Sequence, residues 1–527
     1  MAFDILIKNA SIVDGTGAAA YPGSIAVYKG IIQEIGQNVP EEAKLMIDAK
    51  ERIVAPGFID ITNHSDAVGT LFSEPALPSM LIQGVTTIMG GNCGASLAPL
   101  LYPGAINSLQ KWRTETIQTV DWLTMGDFLK SVEKIKPGVN FGTMTGFGLL
   151  RRGILKNEDR EFDFEDLKEL KYVLEESLKE GSFGLSTGLV YAHERASTTE
   201  DLVRIAEILK KYDAVYKTHL RSESGGLLGA VNEAVAIARN SGARVSVSHF
   251  KGIGRKAWRD FDLGLSILER AAHSGAPIAF DVYPYITTGS FLYLLLPPGA
   301  YDGGFSKLWK RLKDPSIRQS ILKSMQEKTL HYETIVISTA WKTKEAVGKN
   351  IRDIAERIGI SPEEVVIHLL LANEGRVTMF GHTVQPELVK KALLHPLSII
   401  ASDGAGYSLE HRKTGELVHP RSFGTFPRFL RLAVNKWSEL GWPEAIRKMT
   451  SAPAELFGIQ KRGTLAKGNH ADIVIIDRDA VASQGTFENP YQYPRGIDWV
   501  IVNGVVAVNE GQFQNARAGK VLRRGEK

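Results

Sequence analysis

Between about residues 53 and 430 the chain alternates short apolar, β-branched runs with amphipathic helical stretches. The strand-like runs fall at 53–60, 85–89, 139–145, 182–186, 214–219, 244–249, 278–283, 376–381 and 397–402, with helix-patterned stretches such as Phe164–Lys179 between them. A helix between two strands carries the chain back to the starting edge of the sheet, so the strands pair in parallel and helices cover them. The expected fold class is α/β, a (β/α)8 barrel of the TIM type. Nine candidates are one too many for that ring, so one strand belongs outside it. The stretch from Thr287 to about Ala346 is too long for a single crossover and reads as an inserted lid or small subdomain, 287–346.

The two ends of the chain carry β patterns without intervening helices. Asp4–Ile7 and Ser24–Val27 near the start, and Ala471–Asp477 and Trp499–Val502 near the end, read as strands. Asn503-Gly504 lies between two apolar runs, a pair of residues that both accept positive φ and so suits a two-residue hairpin. The expectation is a small β-sandwich subdomain built from 1–55 plus 455–527, flanking a barrel domain at 56–454.

Composition narrows the function classes. A net charge of +4 over 527 residues gives no basic surface for nucleic acid or an acidic membrane. The one cysteine, Cys93, allows no intrachain disulfide. No basic segment followed by an apolar stretch opens the chain, and no apolar run reaches the length of a membrane span. A cytoplasmic enzyme acting on a small molecule is expected.

His219 and His249 end two successive strand-like runs, Ala-Val-Tyr-Lys-Thr-His219 and Arg-Val-Ser-Val-Ser-His249. On parallel barrel strands both imidazoles reach the C-terminal rim, where such barrels keep their chemistry. One strand-end histidine is more often structural; two in consecutive βα units point to a metal. Cys93 sits in Gly90-Gly91-Asn92-Cys93-Gly94 after Val85–Met89, a context that favours a thiolate ligand over a core cysteine. His64 shares a strand face with Asp60 and Thr62 and reads as a further candidate ligand, against the plainer alternative of a histidine bonded to a carbonyl. Asp403 leaves a strand into Gly404, well placed for a general base, although a turn aspartate has the same appearance. Arg421, in His419-Pro420-Arg421, can grip a carboxylate with two parallel hydrogen bonds.

These pieces together resemble the amidohydrolase superfamily, and within it the D-aminoacylase (N-acyl-D-amino-acid deacylase) family. The likeness is carried by Pro56–Asp60 with His64, Asn92-Cys93-Gly94, Thr218-His219-Leu-Arg221-Ser-Glu223, Ser248-His249-Phe-Lys251, Asp281-Val-Tyr283-Pro-Tyr285, Ser402-Asp403-Gly404 and His419-Pro-Arg421. The resemblance implies a tight Zn²⁺ site at Cys93, His219 and His249. It also implies a weaker site at position 62, His64 and Asp403, with substrate held by Arg421, Lys251 and Tyr283. The chain departs from the pattern at Thr62, where the family has the first histidine of a His-x-His pair, so one tight zinc is expected. Phe147 replaces a usual histidine. The loop from Asp403 to Arg421 is long and carries Glu410, His411, Arg412, Lys413 and Glu416.

The expected reaction is zinc-dependent hydrolysis of an N-acyl-D-amino acid, giving a carboxylic acid and a D-amino acid, with Asp403 as general base and acid. Arg412 and Lys413 would suit acidic side chains, Phe291 and Leu292 apolar ones. Two alternatives stand beside it. A cyclic amidase of the hydantoinase or dihydroorotase kind would carry a lysine at the end of the fourth strand, where Ser186-Thr187-Gly188 stands. A catalytically weakened barrel acting as a binding protein would be announced by Thr62.

Overall fold

A computed structural model describes residues 2–40, 42–102, 104–106, 120–156, 160–327 and 330–526. Eight parallel strands form the central ring: β1 (Phe58–Asp60), β2 (Val85–Gly90), β3 (Asn140–Thr143, continued by Thr145–Gly146), β4 (Gly184–Gly188), β5 (Val215–His219), β6 (Arg244–Val247), β7 (Ile278–Val282) and β8 (Ser398–Ile400). Neighbours pair in this order, except that β8 docks on β7 across the whole insertion. The first half of β3 pairs with β2 and its second half with β4, the switch falling at Met144. The circle closes between β1 and β8 through a parallel bridge of Asn63 with Gly404 and a bond from His64 N to Gly404 O of 2.8 Å.

A buried carboxylate reinforces this seam. Asp60 accepts from Ser402 N at 2.8 Å and from Asn63 Nδ2 at 2.9 Å, and Ser402 Oγ donates to it as well. Burial raises its pKa to about 6, and these donors offset part of that cost.

Both chain ends meet in one nine-stranded sheet. Phe3–Ile12 pairs antiparallel with Tyr21–Tyr28 and parallel with Ala43–Asp48 and Ile53–Pro56; Ile473–Ile476 then adds antiparallel to Ile53–Pro56. The Asn503-Gly504 turn joins Ile497–Val502 to Val505–Asn509 with both residues at positive φ, 49° and 80°. The run expected at 53–60 is two strands. It breaks at Gly57, where a Cβ would lie 2.1 Å from Thr86 Oγ1, so the chain passes from the sandwich into the barrel through a position only glycine fits.

The surplus strand is Val377–His382. It is antiparallel to both Thr287–Phe291 and Ile335–Ala340, in a three-stranded sheet apart from the ring. Between these strands lie the helices Gly304–Lys313, Pro315–Gln326, Ile351–Ile358 and Pro362–Ala372, packed on a core of their own that includes Leu308, Leu322, Val366 and Leu370. The antiparallel sheet of the insertion thus runs on to His382, past Ala346. No helix among the described residues is long and apolar enough to cross a membrane.

Candidate metal centre at the barrel mouth

Along β5 alternate side chains face the same way, so Lys217 and His219 share a face. Lys217 is buried and paired with Asp281 of β7. The other Asp281 oxygen accepts the His249 N–H at 2.8 Å, just past the end of β6. This bond holds His249 in an unfavourable backbone conformation, φ 38°. Cys93 (φ 54°) and Asp403 (φ 50°) share that left-handed region, so three site residues turn sharply off their strands without being glycine. The Cys93 loop is fixed by Ser186 of β4, which donates to Gly91 O and accepts from Gly94 N at 3.0 Å. Gly94 is required there because a Cβ would meet Glu194 Oε1 at 1.9 Å.

These turns bring Cys93, His219 and His249 together, with one donor atom from each within 4.8 Å of the others. Cys93 Sγ lies 3.6 Å from His249 Nε2, and the two imidazoles meet edge to face at 4.4 Å. Among the described residues this is the one group of metal-competent side chains that meets at a point. Burial and the nearby Asp403 charge push the Cys93 thiol well above its usual range, a cost that a bound cation reverses. Burial and the Lys251 charge lower His249 to about 4, so its ring is neutral, as a ligand requires. His219 Nδ1 is buried without a hydrogen-bond partner, as are Thr62 Oγ1, Tyr283 Oη and Arg421 Nε. Orphaned polar atoms around one point are the mark of a site that a ligand completes, and a thiolate with two imidazoles is a zinc donor set.

His64 does not join the three donors; its Nε2 lies 3.0 Å from Asp403 Oδ1. On the other Asp403 oxygen, Arg421 Nη1 stands at 2.6 Å. Burial alone would raise this carboxyl, but Arg421, with His249 and His64, more than offsets it and holds Asp403 well below the usual range. Arg421 opens the helix Arg421–Leu430 and lies over the Tyr283 ring at 4.9 Å. Lys251 turns inward: its Nζ reaches Glu223 Oε1 at 2.6 Å, His249 Nδ1 at 2.9 Å and His249 O at 3.1 Å. Thr62 is fully buried, and its hydroxyl offers no imidazole for the role expected at position 62.

Glu223 is the site residue that sequence reasoning left without a role. It is buried, and besides Lys251 it touches His249 Nδ1 at 3.0 Å and His219 Nε2 at 3.5 Å. Its one sequence signal is a glutamate four residues after a ligand histidine, which reads equally well as a solvated loop residue. Phe147 points into the main apolar core rather than the mouth, its ring 6.0 Å from Phe162.

The flank of the site beyond His219 is apolar. Tyr191 packs edge-on to His219 at 5.3 Å and to Phe291 at 5.8 Å, and Phe291, Leu292 and Cys93 share one buried cluster. The charged loop stays outside it: Lys413 pairs with Glu410 in solvent, and His411 is held by Glu74 at 3.0 Å and Glu416 at 3.6 Å.

Three comparisons place this geometry among known proteins. Residues 419–508 match the model of the amidohydrolase family. Over 99% of its length the chain is 28% identical to the N-acyl-D-aspartate deacylase of Alcaligenes xylosoxydans xylosoxydans, covering 95% of that protein. It is equally similar, 28%, to the D-aminoacylase of the same organism, covering 99% of this chain and 98% of that one. Among solved structures, the N-acyl-D-glutamate deacylase of Bordetella bronchiseptica, complexed with zinc and a phosphonate mimic of the tetrahedral intermediate, superposes with a TM-score of 0.84. It is 27% identical, over 99% of this chain and 100% of that one.

Proposed function

We propose that this chain, similar over nearly its whole length to D-aminoacylases of the amidohydrolase superfamily, is a zinc-dependent N-acyl-D-amino-acid deacylase. The observation that carries the reading is the meeting of Cys93, His219 and His249 beside the Asp403–Arg421 pair. Zinc held by the thiolate and two imidazoles supplies a Lewis acid and lowers the pKa of water to near neutrality. The rest is done by the chain. Asp403, kept ionised by Arg421, accepts a proton from the attacking water as the new C–O bond forms. It returns that proton to the amide nitrogen as the C–N bond breaks, so that a carboxylic acid and an amine leave. Arg421 and the Tyr283 hydroxyl, both with unmet hydrogen-bonding capacity, hold the α-carboxylate of the substrate. A fixed carboxylate, a fixed carbonyl and a walled side-chain position select one hand of the amino acid.

The wall of Tyr191, Phe291 and Leu292 supports apolar substrate side chains over acidic ones. The absence of a lysine on β4 and the engagement of Lys217 by Asp281 count against a cyclic amidase. The test is hydrolysis of N-acetyl-D- against N-acetyl-L-amino acids by zinc-replete protein. Release of free D-leucine, D-methionine or D-phenylalanine is expected. No turnover of any D substrate overturns the function; preference for N-acetyl-D-aspartate or -glutamate overturns the side-chain assignment alone.

A further inference from the structure

Neutral imidazole carries one proton, and a metal needs the nitrogen without it. His249 turns Nε2 toward Cys93, so its proton must sit on Nδ1 for the site to bind a cation. Two groups of opposite kind compete for that Nδ1. Glu223 Oε1, at 3.0 Å, can only accept; Lys251 Nζ, at 2.9 Å, can only donate. If Lys251 donates, the ring proton moves to Nε2 and points at the Cys93 sulfur. If Glu223 accepts, Nε2 offers its lone pair to the metal.

We infer that Glu223 is a positioning residue that sets the metal-binding tautomer of His249, and that Lys251 is its competitor as well as its counter-ion. The inference rests on the proposed zinc site. Two further observations support it. The same carboxylate spans both histidines, with Oε2 3.5 Å from His219 Nε2, and so leaves His219 Nδ1 as that ring's outward atom. With the proton on Nδ1, Lys251 still has two acceptors in reach, Glu223 Oε1 at 2.6 Å and His249 O at 3.1 Å, so its ammonium stays anchored beside Glu223 as counter-ion. Carboxylates behind ligand histidines are a general means of fixing the ring and raising its basicity.

The test reads zinc affinity by chelator competition, with the thiolate-to-metal absorption of the cobalt-loaded protein as a second signal. Glu223→Gln replaces an acceptor with an amide that can donate to Nδ1, and its zinc affinity is expected to fall about 10- to 100-fold. Lys251→Met removes the competitor, so the single variant is expected to bind zinc as tightly as the wild type or more so. In the Glu223→Gln background it recovers part of the loss. A merely structural role predicts that Lys251→Met weakens zinc binding. The inference is overturned if Glu223→Gln binds zinc within twofold of wild type, or if Lys251→Met weakens binding. Should Glu223→Gln fail to fold, the Lys251→Met result alone decides. Failure of the underlying site looks different: zinc binding then survives Cys93→Ala.

Discussion

Arg421 Nη1 stands 2.6 Å from Asp403 Oδ2 while His64 Nε2 occupies the opposite oxygen at 3.0 Å. Two cation-capable groups thus bracket one buried carboxylate. The bracket keeps Asp403 ionised across the physiological range, the state that a proton acceptor needs.

Asp403→Asn retains the size of the side chain and removes its basicity. Turnover is expected to fall about 10²- to 10⁴-fold, with zinc content unchanged by elemental analysis. Wild-type hydrolysis rates in this variant would refute the assigned role.

Arg421→Lys keeps the charge and loses the planar fork. KM for N-acyl-D-amino acids is expected to rise about tenfold to a hundredfold, the worth of one charge-assisted bond of ~1.5–3 kcal/mol. An unchanged KM would mean that the carboxylate is held elsewhere.

The chain is expected to bind about one zinc even in metal excess, because Thr62 supplies no imidazole and His64 is engaged by Asp403. Cys93→Ala should abolish that one. Two firmly held ions per chain would show that His64 and Asp403 make a second site without help from position 62.

His411 ties the loop between β8 and the Arg421 helix to Glu74. Burial opposes its protonation, but hydrogen bonds to Glu416 and Glu74 outweigh it and raise its pKa from 6.5 to about 9. A raised folded-state pKa stabilises the fold fully below the unfolded value and ceases to do so as pH climbs through the folded one. The melting temperature of His411→Ala is therefore expected to lie below that of wild type at pH 6 and to converge with it above pH 9, where the imidazole is neutral in both states. A gap that persists unchanged at high pH would point to packing instead.

Much of the site was legible in the sequence because its donors end strands. His219 and His249 close β-branched runs, and a parallel ring brings such ends to one rim. The run at 376–381 misleads because a buried strand of an inserted antiparallel sheet has the same apolar composition as a barrel strand; only its pairing tells them apart. Glu223 stayed hidden for a different reason. A buried charge looks like a solvated one until its partners are known, and those partners lie 26 and 28 residues away. The left-handed backbone at Cys93, His249 and Asp403 has no signature in residues that are not glycine.

The strand Ile53–Pro56 lies between Phe3–Ile12 and Ile473–Ile476, and Asp403 meets His64 across 339 positions of chain. During biosynthesis the three zinc donors, all made by residue 249, leave the ribosome well before either the proton acceptor or the far half of the sheet. The clasp that Asp281 puts on His249 also comes after those donors, and hydrolysis must wait for translation to reach the last stave of the barrel.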